Sequence, residues 1–170
     1  MGRIPVCTQG MAVEDTDMRM ELKKYLGKYY KAKVKKQQLE NRLRNFRIEM
    51  IGARGVQLSQ VPGGKGGISA SATENAVIRA MEIEERIAIQ QAEVQRAMLD
   101  VMDIIGFLPL DSTERTVLEY RHVDCMSWKK IYREMCMTST PCFRYYNAGI
   151  DLLLEKEEVM QLMKESNKKQ

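Results

Sequence analysis

"DCMSWKKIYREMCMTSTPCFRYY", residues 124–146, presses two short helical patterns together across a four-residue turn. In its first half Trp128, Ile131, Tyr132 and Met135 recur at i, i+3, i+4 and i+7, with Lys129, Lys130 and Arg133 between them. That spacing gives a helix one apolar face and one charged face. Ser127 stands where an N-cap belongs. "CMTS", residues 136–139, then turns the chain; Ser139 is placed to cap the next helix, and Pro141 falls in its first turn. This last helix is expected to turn Cys142, Tyr145, Gly149, Ile150, Leu153 and Leu154 inward.

Upstream, "LDSTERTVLEYRHV" (110–123) offers Ser112 as a cap and Val117, Leu118, Tyr120 and Val123 around another short helix. Three helices of roughly ten, eight and sixteen residues, with a tight turn between the last two, describe a helix-turn-helix module. The alternative is a helical hairpin that closes a small core.

The rest of the chain is read from its periodicity. From Met18 to about Ala53, Leu22, Tyr29, Leu43 and Met50 mark one position of a seven-residue repeat, with Lys36 as the exception. Tyr25, Ala32, Leu39, Phe46 and Ala53 mark the position three residues on. A second stripe follows: Ala80, Ile87, Val94 and Val101, then Ile83, Ala97 and Ile104, with polar Gln90 among them. Between the stripes lies "RGVQLSQVPGGKGGISASA" (54–72), too rich in Gly and Ser to order itself by burial. Its Lys65 sits among glycines, but the spacing and ending of a phosphate-binding loop are missing. Ser71 and Glu74 have the form of a capping box. Gly106 and Pro109 end the second helix, the glycine as a left-handed cap.

The expected architecture is therefore all-α: a long antiparallel coiled-coil helical hairpin followed by a C-terminal three-helix helix-turn-helix module. The expected parts are a flexible tail over 1–17 and a hairpin over 18–106, with helices 18–53 and 72–105 and a flexible loop 54–71. The helix-turn-helix covers 107–156 and a charged tail 157–170.

Charge is unevenly placed. Residues 19–54 hold 12 Lys or Arg against 3 acids, a net of +9, whereas the whole chain carries +4. The positive field belongs to the first long helix and suits either a polyanion or the exterior of a coiled coil. Residues 109–151 hold 6 basic and 6 acidic groups, a net of zero, so the compact module alone has little counterion-release affinity. Four cysteines with one histidine lack a second close ligand pair, which disfavours zinc and suits small apolar thiols in a helical core. No hydrolase or metalloprotease motif occurs, and His122 is expected to be a packing or surface residue, so no catalysis and no cofactor are expected. No apolar run reaches the length of a membrane span, and a cytoplasmic location is expected.

"LDSTERTVLEYRHVDCMSWKKIYREMCMTSTPCFRYYNAGIDLLLE" resembles the C-terminal region of bacteriophage late transcriptional regulators of the RinA/ArpU-like type, relatives of sigma factor region four. Glu114, Arg115, Val117, Leu118, Arg121, Asp124, Ser127, Trp128, Ile131, Ile150 and Leu153 carry the likeness. Cys125 stands where that family usually has Gly, Cys136-Met137 replaces a usual Leu-Gly, and Pro141 and Gly149 are unusual in its last helix. The resemblance implies a phage or prophage DNA-binding transcription regulator working at promoters with host RNA polymerase, hence a nucleoid-associated protein.

On that reading the last helix offers Thr140, Phe143, Arg144, Tyr146 and Asn147 to base edges. Ser127, Lys129, Lys130, Arg133 and Ser139 would hold phosphates of double-stranded DNA. Two rivals stay open: a small terminase subunit for DNA packaging, and a protein–protein interaction module that never meets DNA. A homodimer through the coiled coil is equally open, since heptads can be satisfied within one chain or between two.

Overall fold

Sparse proline and abundant Met, Leu, Glu and Lys favour helix throughout. The computed structural model describes residues 9–57 and 70–168, and every regular element among them is helical. In order these are α1 (Gln9–Leu26), α2 (Lys28–Gln57), α3 (Ala70–Ile105), α4 (Thr113–Leu118), a π-helical turn (Glu119–Val123), α5 (Trp128–Glu134), α6 (Ser139–Leu154) and α7 (Glu157–Lys168). The chain divides into two compact units, Met1–Tyr30 with Ala97–Gln170, and Lys31–Arg96.

Within Lys31–Arg96, Lys35 pairs with Glu93 at 3.8 Å and Arg47 pairs with Glu84. One partner's number rises as the other's falls, so the two helical segments run antiparallel. The heptad residues face inward: Leu43 is buried, and Ala32, Leu39, Phe46, Ile83, Ile87 and Val94 are half-buried. Gln90, the polar exception in the stripe, turns inward as well; it is 4% exposed and its amide donates to the Ala32 carbonyl at 3.5 Å. Burying an amide costs free energy unless it is bonded, and this carbonyl is the acceptor within reach.

The other unit builds its core from Leu22 and Leu26 of α1, Val101, Ile104 and Ile105 of α3, Val117 and Leu118 of α4, Ile131 of α5, and Cys142, Ile150 and Leu153 of α6. Ser112 caps α4 as its sequence predicts, its hydroxyl accepting from the Arg115 amide at 3.2 Å. Gly149 is where α4 and α6 come closest. A Cβ there would lie 2.9 Å from Leu118 Cδ1 and 3.2 Å from Glu114 Cβ, so any side chain would have to push its neighbours aside. The residue that looked out of place in a helix is a contact point between helices.

Several boundaries differ from expectation. Helix begins at Gln9, so most of the expected N-terminal tail is helical. The expected single helix over 18–53 is interrupted at Gly27, and α2 continues to Gln57. The central part of the Gly-rich segment, 58–69, and residues 1–8 lie outside the described residues. Since α3 starts at Ala70, Ser71 lies inside the helix rather than capping it. Gly106 is not left-handed: its amide still donates in helical fashion to the Met102 carbonyl at 2.8 Å. The expected charged tail after residue 156 is α7, whose Val159 and Met163 are buried; its apolar residues four apart make one helical face worth covering.

Candidate nucleic-acid interface

The turn between α5 and α6 is a Schellman motif. The Cys136 amide donates to the Arg133 carbonyl at 3.2 Å, and the Met137 amide to the Tyr132 carbonyl at 2.9 Å. This closure needs a left-handed residue at Cys136, whose φ is 51°. The turn that opens α5 repeats the device at Cys125, φ 55°, after the π turn has closed through the Asp124 amide to the Glu119 carbonyl at 3.0 Å. Both cysteines thus occupy glycine-type positions without being glycine. They are turn residues rather than core thiols; of the described cysteines only Cys142 is buried.

Ser127 holds the N-cap position of α5 with extended backbone but makes no side-chain cap bond. Thr138, not Ser139, is the N-cap of α6, and Ser139 becomes its first helical residue. Inward are Cys142, Tyr146, Gly149, Ile150 and Leu153, whereas Tyr145 is only half-buried.

Tyr146, expected at a base edge, is therefore a core residue, 8% exposed. Its hydroxyl meets His122 Nε2 at 3.1 Å, and its ring meets Trp128 edge-on with centroids 5.2 Å apart. Burying a ring that finds both an aromatic neighbour and a hydrogen-bond partner outweighs presenting it to water. His122 is buried too. Desolvation, reinforced by the Arg121 charge, pushes its imidazole down to about 4, with the Leu26 carbonyl acting in the opposite sense. The ring is neutral at pH 7.

The other expected base-reading residues, Thr140, Phe143, Arg144 and Asn147, are exposed on α6. They are not equally free. Phe143 leans on Trp128 at 4.4 Å and on Tyr132 at 6.1 Å, with 41% of its surface exposed. Asn147 Oδ1 accepts from Lys23 Nζ of α1 at 3.3 Å, and one turn on Asp151 pairs with Arg19 at 2.9 Å. Helix α1 thus lines the C-terminal half of the α6 stripe, and the open part is its first two turns. There Arg144 makes no ion pair among the described residues, its guanidinium lying 5.8 Å from the Tyr145 ring centre.

Ser127, Lys129, Lys130, Arg133 and Ser139, the expected phosphate contacts, are all exposed, and the three cations are free of ion pairs among the described residues.

One feature escaped the sequence reading. A cavity of about 500 Å³ opens in the same unit, with Lys23, Tyr30, Arg121, Ser127, Trp128 and Tyr146 in its walls. Arg121 donates to the Met126 carbonyl at 2.9 Å and lies 5.1 Å from the Trp128 ring centre. In the sequence Lys23 and Tyr30 fall inside the expected long helix 18–53; only the return of α5 and α6 brings them into one wall with Arg121 and Trp128.

Comparison of the chain with family models, with curated proteins and with solved structures gave no match. No helix among the described residues is long and apolar enough to cross a membrane.

Proposed function

We propose that this chain is a phage- or prophage-type transcription regulator that reads double-stranded DNA with α6 and acts beside host RNA polymerase in the bacterial cytoplasm. The finer architecture belongs to the same proposal: Lys31–Arg96 as a coiled-coil hairpin, and α4, α5 and α6 as a sigma-region-four-like helix-turn-helix. The observation that carries the reading is Arg144, an exposed guanidinium without an acidic partner among the described residues, in the second turn of a helix entered through a Schellman turn. That is the position from which an arginine can grip a guanine edge with two hydrogen bonds. Thr140 and Phe143 complete the open face, and Tyr146 has left it.

Charge sets the limit of the module on its own. A segment of zero net charge needs help to hold DNA, from a second copy, from polymerase, or from the basic stretch 19–54. Selection of bound fragments from genomic DNA, followed by titration of the recovered site, tests the reading. Arg144→Ala should cost about 1–3 kcal/mol on the selected site and little on random DNA, whereas Lys129→Ala should weaken both alike. Equal losses on both DNAs for Arg144→Ala would sink the assignment.

A second reading has one observation in its favour. Ile48, Ile51, Val77, Ile78 and Met81 are each between 47% and 70% exposed on α2 and α3. Exposed apolar residues at this density suit a protein partner. A folded chain that selects no fragment from genomic DNA would favour that interaction module.

A further inference from the structure

The cavity beside α5 brings two cations and several aromatic rings into one wall. Its two cations, Lys23 and Arg121, donate to neutral oxygens, the Asn147 amide and the Met126 carbonyl. Neither has a carboxylate partner among the described residues, and no Asp or Glu stands in the cavity wall. Two uncompensated positive charges in one concave site, partly shielded from water, attract a phosphate more strongly than the same charges on an open surface.

Aromatic rings share the wall with these cations. Tyr30, 56% exposed, and Trp128 line it, and Ser127 adds a hydroxyl that makes no cap bond. An exposed tyrosine in a wall that also holds tryptophan offers a surface on which a planar base gains stacking energy, about 1–3 kcal/mol per base. A volume of about 500 Å³ falls in the range of ligand pockets.

We infer that this cavity is a nucleotide site, holding the phosphate of a nucleoside phosphate on Lys23 and Arg121 and its base against Tyr30 and Trp128. The ligand is a free mononucleotide or one unit of a single strand; the recognising chemistry is the same. The site goes beyond the proposed reading of duplex DNA, because it uses none of Thr140, Phe143 and Arg144. Either can fail without the other.

Trp128 is the only tryptophan in the chain and lies in the cavity wall, so its fluorescence reports occupancy directly. The full chain is titrated with adenosine monophosphate, adenosine, inorganic phosphate and a short single-stranded oligonucleotide. Saturable quenching by the monophosphate is expected, with adenosine at least about tenfold weaker, because loss of charge-assisted bonds to phosphate costs at least that factor. Inorganic phosphate should compete without quenching. Binding of the monophosphate as tight as that of the oligonucleotide identifies a free nucleotide as the ligand; an oligonucleotide about tenfold tighter identifies a strand.

Lys23→Gln should weaken binding about tenfold, and Arg121→Gln likewise. Arg121 also ties down the turn at Met126, so Lys23→Gln, on a half-exposed side chain, is the decisive variant if Arg121→Gln unfolds. Arg144→Ala should change nothing. No saturable quenching by either nucleotide form, affinity untouched by Lys23→Gln in a folded chain, or tighter binding of phosphotyrosine than of any nucleotide would overturn the assignment.

Discussion

The Tyr146 hydroxyl lies 3.1 Å from Nε2 of His122, and both residues are buried although 24 positions separate them. The pair ties the end of the π turn to the middle of α6. It helps fix which way α6 is rotated about its axis: with Tyr146 inward, Arg144, two residues before it, falls on nearly the opposite side and faces out. The polar contact is thus a register pin for the proposed reading helix.

That burial makes stability depend on pH. The folded His122 holds its proton only below about 4, the unfolded one below about 6.5. Between those values the unfolded state binds more protons, so the contribution is complete above pH 6.5 and is lost as pH falls toward 4, by about 3 kcal/mol at most. Urea melts of the protein and of His122→Gln across pH 7.5 to 4.5 check this. The difference between the two should shrink as pH falls; a constant difference would rule out the histidine as the source.

Gly149 should resist enlargement. Alanine would gain about 0.5–1 kcal/mol in helix propensity but must displace Leu118 Cδ1 and the stem of Glu114, and overpacking costs about 1–3 kcal/mol. Leu118 is fully buried and has nowhere to go. Gly149→Ala is expected to lose about 1–2 kcal/mol in denaturant melts. Leu118→Val should recover part of that loss in the double variant; strict additivity of the two would show that the contact is not the cause.

Cys136 should accept glycine with profit. Its left-handed backbone costs a side-chain-bearing residue about 1–2 kcal/mol, against an entropic cost of about 0.5–1 kcal/mol for glycine. Cys136→Gly should therefore raise stability by up to about 1 kcal/mol, seen as a higher melting temperature, and Cys136→Val should lower it. A loss on Cys136→Gly would mean that the thiol contributes more than its strain. The same substitution at buried Cys142 should destabilise, because it removes core packing.

The attachment of α1 is apolar rather than ionic. Arg19 and Asp151 pair at 2.9 Å with side chains 46% and 41% exposed, and such pairs contribute about 0–1 kcal/mol. Leu26 is fully buried, and truncating a buried leucine costs about 2–5 kcal/mol. Leu26→Ala should destabilise strongly and Arg19→Ala barely; comparable effects would show that the ion pair is far better placed than its exposure implies.

By itself the sequence determined the helical class, the inward stripes of α2 and α3, the Ser112 cap and the tight turn before α6, because each is written in residues within a few turns of one another. Seven-residue spacing even carried polar Gln90 inward. What only the tertiary structure decided is which residues share a surface. Tyr145 and Tyr146 are the same residue type one position apart, and helical periodicity could not choose between them; His122 and Trp128 did, by offering Tyr146 a hydrogen bond and a ring. Likewise the break at Gly27, the burial of α7 through Val159 and Met163, and the meeting of Lys23 and Tyr30 with Arg121 depend on partners far along the chain. Local patterns set which faces are apolar, but the rotation of each helix is settled where those faces compete for one core.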